Sequence, residues 1–152
     1  IDQISYRRLR GVYHSVKKNG LAFDTTKQYE PCRYSMEEGY RAASRLLQKE
    51  PGLTAIFALG DVIALGAMRA LADRGFKIPE DISVVGYDGI VSSEYSIPRL
   101  TTVRQDAEQL ADRGVRTLLQ NIHYELPPVH EAVPFTLMRR ESVRSLGGKE
   151  TP

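Results

Sequence analysis

The chain has 152 residues, of which 41% are hydrophobic and 26% charged, and its formal net charge is +2. This length suffices for one domain with a buried core, and the near-neutral charge excludes the electrostatic footprint typical of a nucleic-acid-binding surface. No apolar run approaches the roughly 20 residues that span a bilayer, so the sequence predicts a soluble, cytoplasmic chain.

Metal and redox chemistry are not expected. The single cysteine, Cys32, excludes an internal disulfide and a multi-thiolate metal site, and we interpret it as a spectator thiol. The three histidines, His14, His123 and His130, have no spacing typical of metal ligands. Phosphate-binding glycine loops and serine-hydrolase motifs are also missing, so we expect no cofactor and no catalysis.

The first predicted element is a helix over residues 7–19, ended by Asn19-Gly20. Its apolar stripe has the spacing i, i+3, i+4 and i+7: Leu9, Val12, Tyr13 and Val16. Arg8 lies in its first turn and is either a solvated arginine or a binding group. Because an α/β domain normally opens on a strand, the sequence has the character of a piece of a longer protein.

The next segment predicts a short strand over residues 26–32 and then a helix over residues 36–49. Ser35 and Glu38 form the capping pattern of that helix. Tyr34 directly precedes the cap. It is either a hydrophobic staple or a flat surface for a ligand.

Two apolar strands, over residues 54–59 and 82–87, flank a predicted helix over residues 61–74. This alternation is typical of a parallel sheet covered on both faces, and ligands bind beyond the carboxyl ends of such strands. Asp61 and Asp88 follow the two strands there. Asp61 alone is interpreted as the helix cap, whereas Asp88 has no evident helix to cap and has either a turn or a ligand role.

The last third predicts a strand over residues 100–103, a helix from the capping pair Asp106 and Gln109 to about Ile122, and one or two strands within residues 129–138. An arginine, two aspartates and an aromatic ring at the mouths of strands favour reversible capture of a small polar molecule. A hydrolase or receiver-like enzyme using Asp61 and Asp88 is the competing hypothesis.

Five motifs follow one another along the chain: Ser5-x-x-Arg8-x-x-Gly11, the strand 55–57 leading to Asp61-x-x-Ala64-x-Gly66, the segment 78–88 (IPEDISVVGYD), Pro98-x-Leu100-Thr101-Thr102-Val103-x-Gln105, and Arg140-x-Ser142. In this order and spacing they resemble the C-terminal effector-binding half of LacI/GalR-type transcriptional regulators. The resemblance covers about residues 5–142.

The resemblance implies an α/β fold with a doubly wound parallel sheet, of the type I periplasmic-binding-protein-like class, here a fragment without its N-terminal half. Residues 1–99 and 133–144 are then expected to form the C-terminal subdomain, without its first strand. Residues 100–132 are expected to be a crossover strand and a helix of the N-terminal subdomain, and residues 145–152 a polar tail.

The resemblance also implies a ligand site, to which it assigns six residues: Arg8, Asp88, Tyr34, Gln105, Gly60 and Asp61. Arg8 and Asp88 match effector-binding positions, Gln105 a crossover residue and Tyr34 an aromatic that packs on the effector. Gly60 departs from the family, which often has an effector-contacting asparagine there. Asp61 is expected at the edge of the cleft.

The implied function is to sense a small effector, such as a sugar, and thereby to control operator DNA binding. That binding requires an N-terminal helix-turn-helix which is not among these 152 residues, and a homodimer is expected. A sugar-binding protein of a transport system has the same architecture and is the alternative hypothesis. A secretory signal in the parent gene would distinguish the two.

Overall fold

The computed structural model describes residues 3–124 and 132–146, which form a mixed α/β fold. Its four-stranded sheet has the order β1-β2-β3-β4 and consists of β1 (Ala55–Phe57), β2 (Ser83–Asp88), β3 (Thr101–Gln105) and β4 (Phe135–Met138). Strands β1, β2 and β3 are parallel, and β4 is antiparallel to β3. The predicted α/β fold is confirmed, with a sheet in which parallel pairing dominates.

Five α-helices belong to the described residues: α1 (Gln3–Lys18), α2 (Thr25–Gln28), α3 (Met36–Lys49), α4 (Asp61–Ala72) and α5 (Ala107–Tyr124). The strand predicted over residues 26–32 is wrong. Asp24 accepts a hydrogen bond from the Thr26 amide at 2.9 Å and caps α2, so the chain is helical as far as Gln28, and residues 29–32 form neither helix nor strand. Of the region predicted to hold one or two strands, residues 135–138 form β4, whereas residues 125–131 lie outside the described residues.

The helix starts test the predicted caps. Ser35 Oγ accepts from the Glu38 amide at 3.2 Å, and Asp106 Oδ1 accepts from the Gln109 amide at 3.0 Å, so both predicted caps are confirmed. The cap predicted at Asp61 is wrong. Gly60 occupies the N-cap of α4, no side chain caps this helix, and Asp61 is its first residue.

The core lies between α4 and the sheet, and α3 packs on α4. Leu71, Ile82, Val84 and Leu100 are fully buried, each contributing about 1.5–3 kcal/mol by burial of its side chain. Helices α3 and α4 approach closely because Gly66 has no side chain. A Cβ at Gly66 would overlap the carbonyl oxygen of Met36.

Ser142 anchors the segment after β4 to the sheet through hydrogen bonds. It is fully buried, and its Oγ donates to the Val84 carbonyl at 2.6 Å and accepts from the Thr101 amide at 2.8 Å. Its backbone carbonyl accepts from the Val84 amide at 2.8 Å. One serine therefore joins the beginnings of β2 and β3.

Glu30 holds the segment before α3 against that helix. Its side chain is 9% exposed and receives hydrogen bonds from Lys49 Nζ at 2.5 Å and from Arg45 Nε. Burial by itself raises the pKa of Glu30, but the bonds from Lys49 and Arg45 outweigh burial, so the pKa lies below its usual value.

Two further apolar surfaces, a groove and a helix face, are open to solvent. A groove of about 610 Å³, here named the β1 groove, runs between the apolar face of α1 (Leu9, Val12, Val16) and the residues around β1. Helix α5 has no buried residues, and five of its apolar side chains are between 51% and 65% exposed: Leu110, Val115, Leu118, Leu119 and Ile122.

Candidate ligand-binding site

Asp88 ends β2 in a strained backbone conformation. Its φ is 109°, and a positive φ costs a residue other than glycine on the order of 1–3 kcal/mol. Gly89 follows with a φ of 75°, and a Cβ there would lie 2.5 Å from Arg104 Cγ. The chain thus turns sharply at the carboxyl end of β2. Strain of this kind is typical of functional sites.

Arg8 joins Asp88 across eighty positions of sequence. Its Nη2 lies 2.8 Å from Asp88 Oδ1, and its Nη1 donates to the Leu59 carbonyl at 2.6 Å. The two side chains are only 15% and 19% exposed, so solvent screens this pair less than a surface pair. Since Leu59 follows β1, the guanidinium connects α1 with the carboxyl ends of two strands.

Two neutral side chains complete the group around this carboxylate. The Tyr34 hydroxyl donates to Asp88 Oδ2, and Gln105 Nε2 donates to Asp88 Oδ1 at 3.2 Å. We name Arg8, Tyr34, Asp88 and Gln105 the Asp88 cluster. The structure therefore brings together four of the six residues predicted for the ligand site.

Gly60 borders the cluster through Tyr34. It is buried, and a Cβ at this position would lie 2.5 Å from both Cζ and the hydroxyl oxygen of Tyr34. The phenol ring thus covers the space that a side chain at position 60 would need.

Asp61 lies beneath the cluster and does not belong to it. Its side chain is fully buried, with Oδ1 accepting from Thr102 Oγ1 at 2.6 Å and Oδ2 accepting from the Ile90 amide at 2.9 Å. The carboxylate therefore braces β3 against the loop that follows Asp88. A ligand contact at Asp61 stays a prediction.

Sequence reasoning gave Tyr87 no role at this site. The Arg8 guanidinium carbon lies 4.0 Å from the centre of the Tyr87 ring, a cation–π geometry that orients the arginine toward Asp88. The sequence feature that could have indicated a role for Tyr87 is its position at the end of an apolar strand, directly before Asp88. That position alone does not reveal which cation packs on the ring.

The β1 groove differs from the Asp88 cluster in its chemistry. Its lining is mainly apolar and includes Cys32. Burial, assisted by the charge of Glu38, raises the pKa of the Cys32 thiol, so the thiol is protonated at neutral pH. The charged residues of its lining are the carboxylates Glu30 and Glu50, whereas the Asp88 cluster places a guanidinium beside a carboxylate.

No helix in the part of the chain that the structure describes combines the length and the apolar character needed to cross a bilayer. Within the same residues, His, Cys, Asp and Glu side chains form no group of three that could hold a metal ion.

The family model described as a periplasmic binding protein-like domain matches residues 1–143. The chain belongs to this family. Among curated relatives, this periplasmic binding protein-like domain is 34% identical over 139 residues to the HTH-type transcriptional regulator MalR of Clostridium butyricum, covering 91% of the chain and 41% of MalR.

Solved structures give the same assignment. The domain is similar to the transcriptional regulator CelR in its cellobiose complex, with a TM-score of 0.84, 32% identity, and coverage of 88% of this chain and 41% of CelR. It is also similar to a LacI family transcriptional regulator from Enterococcus faecium with bound ribose, with a TM-score of 0.78 and 29% identity, covering 91% of this chain and 51% of that one.

These relatives are transcriptional regulators, and the predicted resemblance to the LacI/GalR type is confirmed. The periplasmic binding protein-like domain spans about half or less of the length of the proteins it matches.

Proposed function

We propose that this domain is the effector-sensing part of a LacI-type, DNA-binding transcriptional regulator and that the Asp88 cluster binds a small polyhydroxy ligand. The observation that carries the proposal is the convergence of Arg8, Tyr34 and Gln105 on one carboxylate at the carboxyl ends of parallel strands. Open α/β sheets bind their ligands at this edge. Two similar structures hold cellobiose and ribose, which supports a sugar as the ligand.

The chemistry of the cluster suits such a ligand. A carboxylate accepts hydrogen bonds from adjacent hydroxyl groups, and a guanidinium donates in a fixed fork. Tyr34 is 54% exposed as a residue, and its ring offers a flat apolar face to the C–H side of a sugar ring. Binding of this kind makes and breaks no covalent bond, so the proposed role is not enzymatic.

The route from the ligand to DNA starts at Gln105. This residue ends β3, and α5 begins two positions later at Ala107, so a contact at Gln105 acts next to the connection into α5. In the proposal, the ligand favours one of two arrangements of the sensor and shifts their populations. The whole protein is a homodimer in the cytoplasm and binds operator DNA through an N-terminal helix-turn-helix. Its affinity for the operator then depends on which arrangement of the sensor the ligand favours.

The division into subdomains is part of the proposal. Residues 1–99 and 133–144 form the C-terminal subdomain, residues 100–132 the connection and helix of the N-terminal subdomain, and residues 145–152 a tail. The exposed apolar face of α5 supports this division, because exposed apolar patches mark surfaces that a further structural unit covers. That unit is the remainder of the N-terminal subdomain.

A transport protein of the same architecture is the alternative. The similar proteins described above are regulators, which favours the regulatory role.

Calorimetric titration of the full-length protein with ribose and with cellobiose tests the proposal. Asp88→Asn keeps the shape of the side chain but removes its charge, and we expect at least about tenfold weaker sugar binding, because hydrogen bonds to charged groups contribute about 1.5–3 kcal/mol. Asp112→Asn is the matched control, since Asp112 pairs with Arg116 on an exposed face of α5. Its affinity for either sugar is expected to equal that of the unchanged protein.

Three results would count against the proposal. Equal sugar affinity in the Asp88→Asn and unchanged proteins would remove Asp88 from the site. Binding of adenine, a flat ligand without adjacent hydroxyls, in place of either sugar would overturn the ligand class. Chromatographic recovery of intact cellobiose after prolonged incubation is expected, and its cleavage would contradict the non-enzymatic role.

A further inference from the structure

The backbone conformation at position 60 does not require a glycine. Its φ is −169°, which is extended and open to any residue, and it occupies the N-cap of α4, where Ser, Thr, Asn and Asp are preferred. No side chain caps this helix. Position 60 therefore lacks a capping side chain in a conformation that would accept one.

The phenol of Tyr34 explains the glycine. A Cβ at position 60 would lie 2.5 Å from Cζ and from the hydroxyl oxygen of Tyr34, well inside contact distance, and would overlap Cε2. The same phenol donates its hydroxyl to Asp88 Oδ2. Only a residue without a side chain at position 60 allows Tyr34 to reach that carboxylate oxygen.

We propose that Tyr34 and Gly60 form one specificity-determining pair, in which the phenol takes the volume of a side chain at position 60 and sets the size of ligand admitted beside Asp88. This inference rests on the proposed function, because it assigns a specificity role within the same ligand site. With Tyr34 in place, the corner between Gly60 and Asp88 is narrow and favours a monosaccharide. With Tyr34 turned outward or truncated, the corner widens and favours a disaccharide.

If Tyr34 and Gly60 act as a pair, the expected effects of substituting them differ from those of two independent residues. Tyr34 is half-exposed, and the atoms that a Cβ at position 60 would meet are at the far end of its side chain. A methyl group at position 60 therefore pushes the ring outward and leaves the fold intact. Gly60→Ala therefore has the same effect as Tyr34→Ala. The double variant is no worse than either single one, which is the non-additivity expected of residues that share one space.

The first experiment needs no ligand. The full-length protein is labelled with 3-fluorotyrosine, and the Tyr34 resonance among the eight tyrosines of this chain is assigned by its loss in Tyr34→Phe. We expect Gly60→Ala to shift the fluorine resonance of Tyr34 toward its solvent-exposed position. Gly52→Ala is the control, since a Cβ there meets nothing closer than 3.7 Å. An unmoved Tyr34 resonance in Gly60→Ala would show that the two residues do not share a volume.

The second experiment measures ribose and cellobiose affinity for the unchanged protein, Gly60→Ala, Tyr34→Ala and the double variant. We expect the ribose-to-cellobiose affinity ratio to fall by about tenfold, the size of one hydrogen bond to a charged group, and equally in all three variants. An unchanged ratio together with a shifted Tyr34 resonance would make the pair a packing contact without a specificity role. If neither sugar binds the unchanged protein, the specificity role is withdrawn with the sugar proposal, whereas the fluorine measurement still decides the shared volume.

Discussion

Replacing Asp61 tests whether its carboxylate connects β3 to the loop after Asp88 inside the protein or caps a helix at the surface. In Asp61→Ala the Thr102 hydroxyl and the Ile90 amide both lose their acceptor. A buried donor without a partner costs about 1–3 kcal/mol, so the free energy of unfolding should fall by about 4 kcal/mol. For a chain of this size, 1 kcal/mol corresponds to roughly 2–4 °C, which predicts a Tm lower by about 12 °C.

Asp61→Asn should lower the free energy of unfolding much less than Asp61→Ala. The Asn oxygen accepts from the Ile90 amide, which is a fixed donor, and the Asn NH₂ group faces Thr102, whose hydroxyl can rotate to accept. We expect a loss of about 1 kcal/mol from one weakened hydrogen bond.

Differential scanning calorimetry of both variants beside Asp112→Ala provides the measurement, and the control is expected to change stability by less than about 0.5 kcal/mol, since its ion pair is exposed. A Tm for Asp61→Ala within 2 °C of the unchanged protein, a margin below about 1 kcal/mol, would refute the bracing role. Equal losses for Ala and Asn would refute the rotating hydroxyl.

Three other changes have outcomes that thermal or urea unfolding can measure. Ser142→Ala leaves two buried backbone groups without their partner and should cost about 3 kcal/mol, whereas Ser92→Ala on the exposed surface should be neutral. Gly66→Ala forces α3 and α4 apart and should destabilise by about 2 kcal/mol or more, whereas Gly11→Ala, with open space around it, should stabilise by about 0.5–1 kcal/mol. Glu30 has a lowered pKa in the folded state, so its stabilising effect is present above the unfolded pKa of about 4.3 and disappears as the pH falls through the folded pKa. Glu30→Gln should therefore flatten the loss of Tm between pH 5 and pH 3, and an unchanged acid slope would contradict this.

The sheet and the centre of the site could be predicted from local patterns. Strand β2 has the apolar pair Val84 and Val85 at its centre, and Asp88 at its end has no helix to cap, so a ligand role was one of two hypotheses for Asp88. The pairing of Asp88 with Arg8 spans eighty positions, and no local pattern carries such a distance. The resemblance to a known family supplied that pairing.

The errors have a common physical cause. An aspartate ahead of a helix has the same sequence signature whether it caps the helix or points into the core, and the partners that decide for Asp61 are 29 and 41 residues away. Over residues 26–32 the sequence predicted a short strand, but the carboxylate of Asp24 caps a helix that begins at Thr25. In both places a side-chain hydrogen bond decided the structure.

Strand β3 serves two purposes at its two ends. Thr101 and Thr102 at its start are bonded to Ser142 and Asp61, whereas Gln105 at its finish is bonded to Asp88. The ends of this five-residue strand are about 13 Å apart, at about 3.3 Å per residue. Selection for new ligand preferences can therefore vary position 105 without loosening the anchorage at the other end, which makes it a suitable starting point for directed evolution of this sensor.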